Sequence, residues 1–97
     1  MFTDGRRVIM CSSMTYNGID ATLQGMNLRG RVWATLAEPD HIRKWDAGET
    51  ILTSRCHKTV EGEAFVQVWT NNNIYICPAK DYIAAETFDY RPVIGEE

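Results

Sequence analysis

The apolar positions of this chain fall in short runs punctuated by Gly, Pro and Asn, a pattern of strands and tight turns. Arg7 to Met14 and Arg29 to Leu36 are apolar or β-branched runs separated by a polar segment that contains Asn17-Gly18 and Gly25. Asn17-Gly18 readily supplies positive φ, which predicts a hairpin of Ser12 to Tyr16 with Ile19 to Leu23 and puts Ile19, Ala21 and Leu23 on one face. Residues 19–26 also fit a short helix. The stretch Glu38 to Trp45 has acids early, bases late and Pro39 where a first turn tolerates it, with Gly48 as a stop. One or two helical turns near residues 39–46 follow, and with only Ile42 and Trp45 as an apolar pair they form a connector or lid.

The pattern is clearest after Thr50. Ile51 to Val60, Glu63 to Thr70 and Ile74 to Pro78 read as three strands joined at Glu61-Gly62 and Asn71-Asn72-Asn73. Two-residue turns at Glu61-Gly62 and Asn71-Asn72 set Lys58 opposite Phe65, His57 opposite Val66, Trp69 opposite Ile74 and Val66 opposite Cys77. One face then carries Leu52, Cys56, Phe65, Trp69, Ile74 and Ile76, the expected core. The other carries Arg55, His57, Val66, Val68 and Tyr75. A three-residue loop at Asn71–Asn73 would instead flip Ile74 and Tyr75. Asp81 to Phe88 fits either a strand or a short helix, Tyr90 to Ile94 reads as extended, and Gly95-Glu96-Glu97 as a frayed end.

The expected fold is therefore α+β, mainly β: an antiparallel meander of four to six short strands, partly rolled or barrel-like, with one short helix. It forms a single domain over residues 1–97, divided into a strand-rich part (1–36), a helical connector (37–48), a three-stranded meander (49–78) and a C-terminal extension (79–97). Ninety-seven residues are too few for two cores, and 44% hydrophobic with 24% charged residues is a globular balance. Pairing with a second copy would add buried surface to so small a domain.

A net charge of −3 lacks the basic excess that phosphate contacts demand. Basic residues do concentrate early, since only Lys80 and Arg91 follow Lys58. Cys11, Cys56 and Cys77 cannot all pair in one chain and match no secreted disulfide framework, which suits a reducing cytoplasm. Val8 to Cys11 is too short for a signal-peptide core, and no run approaches the ~20 apolar residues of a membrane helix.

The pattern Gly30-x-Val32, Gly48-x-x-Ile51-x-Thr53-Ser54, Glu61-Gly62 and Asn73-Ile74-Tyr75 is similar to one found in short, uncharacterised β-meander proteins of bacteria and their phages. The resemblance covers roughly half the chain and consists of turn and strand residues. It implies a fold and an origin in a phage or mobile element, and brings no catalytic residues with it.

Candidate chemistry is sparse. Cys11, Cys56, His57 and Cys77 could ligate zinc, but no C-x-x-C knuckle is present and adjacent Cys56 and His57 point to opposite sheet faces. A Cys nucleophile with His41 or His57 as base and Asp40 or Asp46 as orienter would make a small enzyme. Cysteines in apolar strands, however, ordinarily pack as small hydrophobes. Asp40, Asp46 and Glu49 could hold a divalent cation, though acids around a turn usually act as solvated caps. Gly25 and Gly30 match no phosphate loop. No catalytic residue, metal or cofactor is therefore expected.

The aromatic residues carry more. Trp33 and Trp69 are expected in the core, and Trp45 beside Arg43-Lys44 as a surface anchor. Arg55, His57 and Tyr75, with Lys58, would form an exposed face able to stack and neutralise single-stranded nucleic acid. The expected binding residues are Trp45, Arg43, Lys44, Arg55, His57 and Tyr75. The expected function is non-catalytic binding of another protein or of a second copy in a homodimer. Nucleic acid is the alternative, and no membrane contact is implied.

Overall fold

A computed structural model describes residues 6–18 and 21–85. The strands are β1 (Arg7–Asn17), β2 (Thr22–Leu23), β3 (Met26–Asn27), β4 (Val32–Leu36), β5 (Thr50–Leu52), β6 (Cys56–Glu61), β7 (Phe65–Thr70), β8 (Asn73–Pro78) and β9 (Tyr82–Ala85). Seven of them form one sheet in the order β5-β4-β1-β8-β7-β6, with β9 also on β1, while β2 and β3 make a small separate hairpin. The chain is mainly β, as expected, with more strands than foreseen.

β6, β7 and β8 are antiparallel neighbours, but β1 runs parallel to both β8 and β9. The sheet is thus mixed and not antiparallel throughout. β8, a 3₁₀ turn over Ala79–Asp81 and β9 follow one another along successive halves of β1, while β4 pairs antiparallel with the second half.

The expected hairpin at Asn17-Gly18 does not form on β1. Ser13 to Tyr16 pair with Val32 to Thr35 instead, an arrangement that buries Val32, Ala34 and Leu36 of β4. Asn17 is fully buried, its backbone and side-chain nitrogens both donating to Arg31 O at 3.1 and 2.9 Å. The turn in this region is Gln24-Gly25, both at positive φ, between β2 and β3. Residues 21–26 hold no helix, and Ile19 lies outside the described residues.

The connector is not helical either. Residues 41–44 form a turn closed by a two-way backbone bridge between Asp40 and Trp45, at 2.9 and 3.0 Å. Lys44 adopts φ of 61°, which breaks a right-handed helix. The Asp40 carboxylate binds outward to Arg7 at 2.7 and 3.1 Å, tying the loop to the start of β1. Too few apolar positions face one side of residues 39–46 for packing to offset the cost of starting a helix.

Trp69 pairs with Ile74 and Val66 with Cys77, so Asn71-Asn72 is the two-residue turn expected. At the other turn Lys58 faces Trp69, not Phe65, and Glu61 faces Val66. The central residues there are Glu63-Ala64, flanked by a Gly62 N to Phe65 O bond of 2.9 Å and pinned by Ala79 N donating to Ala64 O at 2.9 Å.

The main core contains Ile9, Cys11, Met14, Val32, Ala34, Leu36, Val66, Val68, Tyr75 and Cys77. This main cluster lies on the face opposite the one expected from β7 and β8. Ile74 and Ile76 are also buried, on the other side of β8. Cys56 packs against the interior and leaves the face of Trp69 because a bulge falls between Cys56 and Lys58.

The end strands of the sheet, β5 and β6, are consecutive in the chain, joined by the corner Thr53-Ser54-Arg55. Here the Thr53 hydroxyl takes the place of a backbone acceptor: it accepts from Val32 N at 3.1 Å and donates to Ser54 O at 2.7 Å. The Thr53 carbonyl is freed to accept from Arg31 Nε at 2.9 Å. This substitution lets the chain leave the β4 ladder without stranding a buried N–H group.

Candidate functional site

The face of the β1-β8-β7-β6 layer turned away from the main core follows from strand alternation. One row across it is Val8, Ile74, Trp69 and Lys58. The next is Met10, Ile76, Gln67 and Val60, and Pro78 and Phe65 begin a third. Val8 is 40% exposed, Met10 38%, Val60 41% and Phe65 50%. Among the described residues seven large apolar side chains are exposed, and these four share one face, so the clustering exceeds the scatter normal for a protein surface.

Trp69 is half-buried at one end of this face instead of lying in the core. The Lys58 ammonium lies 4.0 Å from its ring centroid and the Arg6 guanidinium 5.2 Å. Both are attracted to the negative ring face. The indole N–H donates to Gln67 Oε1 at 2.9 Å. At the Glu63-Ala64 turn Glu61 alternates to the core side of β6, opposite Val66 and near Tyr82, so it does not belong to this face.

The residues expected to bind are dispersed. Tyr75, expected on the surface, is buried at 3% exposure because β8 turns it inward beside Ile9 and Val68. Its hydroxyl accepts from Asn73 Nδ2 at 3.0 Å, and burial raises its pKa. Arg55 is exposed, with its guanidinium committed to the carbonyls of Arg29 at 2.9 Å and Asn27 at 3.5 Å. His57 is exposed at the β6 bulge. These three do not form one platform with Lys58.

Trp45 is half-buried and packs against the main core, with the Arg43 guanidinium 5.5 Å from its ring centroid. Lys44 and Ile42 project from the same loop, Ile42 at 72% exposure. Arg43, Lys44 and Trp45 thus stay together, with the Trp side chain acting as the loop's anchor to the core. The Arg7 hydrogen bond holds the Asp40 carboxyl below its usual range. A shallow cavity beside this loop, lined by Val8, Ile9, Met10, Glu38, Pro39 and Asp40, has a volume of about 60 Å³, room for little more than a water or two.

Burial pushes the Cys11 thiol up to about 12 and the Cys77 thiol to about 11. Both rest as protonated thiols at neutral pH, the behaviour of cysteines packed among apolar side chains. Among the described residues no three His, Cys, Asp or Glu side chains are placed to share a metal ion. No helix among them is long and apolar enough to cross a membrane.

Of the residues the sequence places in the core on this side, Ile74 and Ile76 are buried, whereas Phe65 is exposed and Trp69 half-buried. Their shared side was legible, and the exposed partners Val8, Met10 and Val60 come from strands whose alignment only the fold supplies. Comparison with known proteins gives no matching family model, no similar curated protein and no similar solved structure.

Proposed function

We propose that this chain is a small non-catalytic accessory protein of the cytoplasm that acts by protein-protein contact through the outer face of the β1-β8-β7-β6 layer. The observation that carries the reading is the clustering of exposed Val8, Met10, Val60 and Phe65 beside half-buried Trp69. Exposed apolar area rimmed by charge is the signature of a surface that another protein covers, and an aromatic residue at its edge is a favoured anchor. An origin in a phage or bacterial mobile element rests on the resemblance in turn and strand residues alone.

Nucleic acid fits this face less well. A base stacking on Trp69 would compete with the Lys58 ammonium already at the ring, and the Arg55 guanidinium is held by backbone carbonyls. The Arg43–Trp45 loop remains a second contact point at most, since its tryptophan is spent on the core.

A benzophenone amino acid placed at position 65, and separately at exposed Thr22 and Ile42, tests the reading by photocrosslinking in cells. A discrete protein adduct from position 65 alone is expected. Adducts to nucleic acid, adducts only from Ile42, or none from position 65 would contradict it.

A further inference from the structure

We infer that the corner where the β3–β4 connection meets the β5–β6 turn is a second contact surface, one that takes an acidic segment of a partner protein on Arg29, Arg31 and Arg55. The inference uses none of the residues of the apolar face and is independent of it.

It comes from how the cations of this chain are matched. Among the described residues Arg7 is paired with Asp40 and Lys80 with Asp81, while Arg6 and Lys58 lie against Trp69 and Arg43 against Trp45. Arg29, Arg31 and Arg55 have neither a carboxylate nor a ring among those residues, and Lys44, on a different turn, shares that condition. The whole chain carries a net charge of −3, so three unmatched guanidinium groups at one corner run against its overall balance.

The fold brings the three together. Residues 30–32 and 53–56 lie side by side, tied by Cys56 N donating to Gly30 O at 2.6 Å and Thr53 N to Val32 O at 2.8 Å. The Arg55 side chain lies over Gly30, with Nε donating to Arg29 O at 2.9 Å and Nη2 to Asn27 O at 3.5 Å. Arg31 crosses in the other direction, its Nε donating to Thr53 O at 2.9 Å while Nη1 meets Met26 Sδ at 3.7 Å. Both guanidinium groups therefore end against β3, at the consecutive residues Met26 and Asn27. The Arg29 side chain is exposed beside them.

A carbonyl orients a guanidinium without cancelling its charge. A guanidinium has five N–H donors, so the contacts made by Arg31 and Arg55 leave part of each fork open to an oxyanion. Three like charges with no acid between them repel one another, and a carboxylate-rich ligand relieves that repulsion as it binds.

An acidic peptide suits this corner better than a nucleic acid. Among the described residues no aromatic ring lies against any of the three arginines, so a base would find nothing to stack on. The negative charge of the chain also opposes a long polyanion more than a short acidic stretch.

Fluorescence anisotropy of a dye-labelled hexaglutamate peptide, titrated with the purified chain at low salt, reads this surface directly. Hexaglutamate is expected to bind, more weakly as salt rises, and a hexaglutamine peptide not to bind. Arg29→Gln, checked for folding by circular dichroism, is expected to weaken binding about threefold, and Arg29→Gln/Arg31→Gln about tenfold. Lys44→Gln removes the same charge from the turn of residues 41–44 and is expected to leave binding unchanged.

A hexaglutamate peptide that fails to bind would overturn the inference, as would a loss on Lys44→Gln equal to that on Arg29→Gln. A thymidine oligonucleotide that binds more tightly than hexaglutamate, and is lost with the same arginines, would assign the corner to nucleic acid and overturn it as well. The position-65 crosslink does not depend on any of these results, so failure of this surface and failure of the apolar face are read separately.

Discussion

Thr53→Val replaces a hydroxyl by a methyl group of nearly the same shape at the corner between β5 and β6. Thr53 is 2% exposed and Val32 fully buried, so water cannot replace the lost acceptor. Val32 N–H would lose its bond to Thr53 Oγ, and the Ser54 carbonyl would lose its donor. The Thr53 carbonyl, engaged by Arg31 Nε, is not aimed to take over. An orphaned buried donor costs about 1–3 kcal/mol, which sets the expected destabilisation at about 2 kcal/mol. For a domain of this size that lowers Tm by roughly 8–16 °C.

Thr53→Ser keeps the hydroxyl and loses one methyl group, for about 1 kcal/mol. Urea unfolding followed by tryptophan fluorescence would measure both against wild type at one protein concentration. A valine variant within about 0.5 kcal/mol of wild type, or a serine variant as unstable as the valine one, would refute the assigned role of the hydroxyl.

Other expectations follow from single residues. Gly30 has φ of 80° and sits under the Arg55 side chain, whose Cγ would be 3.7 Å from an added Cβ. Gly30→Ala therefore finds space but pays backbone strain, about 1 kcal/mol in the same urea assay, and an unchanged midpoint would contradict this. Ellman's reagent should modify half-buried Cys56 in the native chain, while buried Cys11 and Cys77 react only after unfolding; prompt reaction of all three thiols would disprove the packing. Asp40 has a depressed folded pKa, so its contribution is present above the ordinary carboxylate pKa and disappears as pH falls through the lower folded value. Trp45 fluorescence should report release of this loop in acid, and Asp40→Asn should remove that transition; an identical acid profile in the variant would count against the Arg7 tie.

The strand pattern was legible where local turn chemistry fixes geometry. Asn71-Asn72 set the β7–β8 register correctly because two residues that tolerate tight turns leave one alignment. Glu61-Gly62 carried the stronger local signal at the previous turn, yet the chain turns two residues later, where Ala64 O receives Ala79 N from beyond β8. That contact has no local trace. The shift lies between β6 and β7 alone, so Phe65, Trp69, Ile74 and Ile76, aligned by the β7–β8 register, still share a face.

Choosing which face was interior failed for a related reason. β7 and β8 are apolar on both sides, and the main cluster is completed by Ile9, Cys11 and Met14 of β1, distant in sequence, with Ile9 set beside Tyr75 by the parallel ladder. The helix expected near residues 39–46 was drawn from charge order and Pro39, both weak signals over so short a span. The Asp40–Arg7 pair and the Asp40–Trp45 bridge supply the tertiary contacts that override them. Candidate chemistry suffered likewise: Tyr75 was grouped with Arg55 and His57 by alternation, and the inversion of the faces took it into the core.

Hydroxyl-radical footprinting of the purified chain and of the chain in whole cells, with side-chain oxidation read by mass spectrometry, tests the central claim most directly. Met10 and Phe65 on the sheet face are compared with Met26 and Ile42, which are exposed elsewhere. The account requires Met10 and Phe65 to be protected in cells relative to the purified chain while Met26 and Ile42 stay equally labelled. Unchanged labelling of Met10 and Phe65 in cells, or protection confined to Ile42, would contradict it.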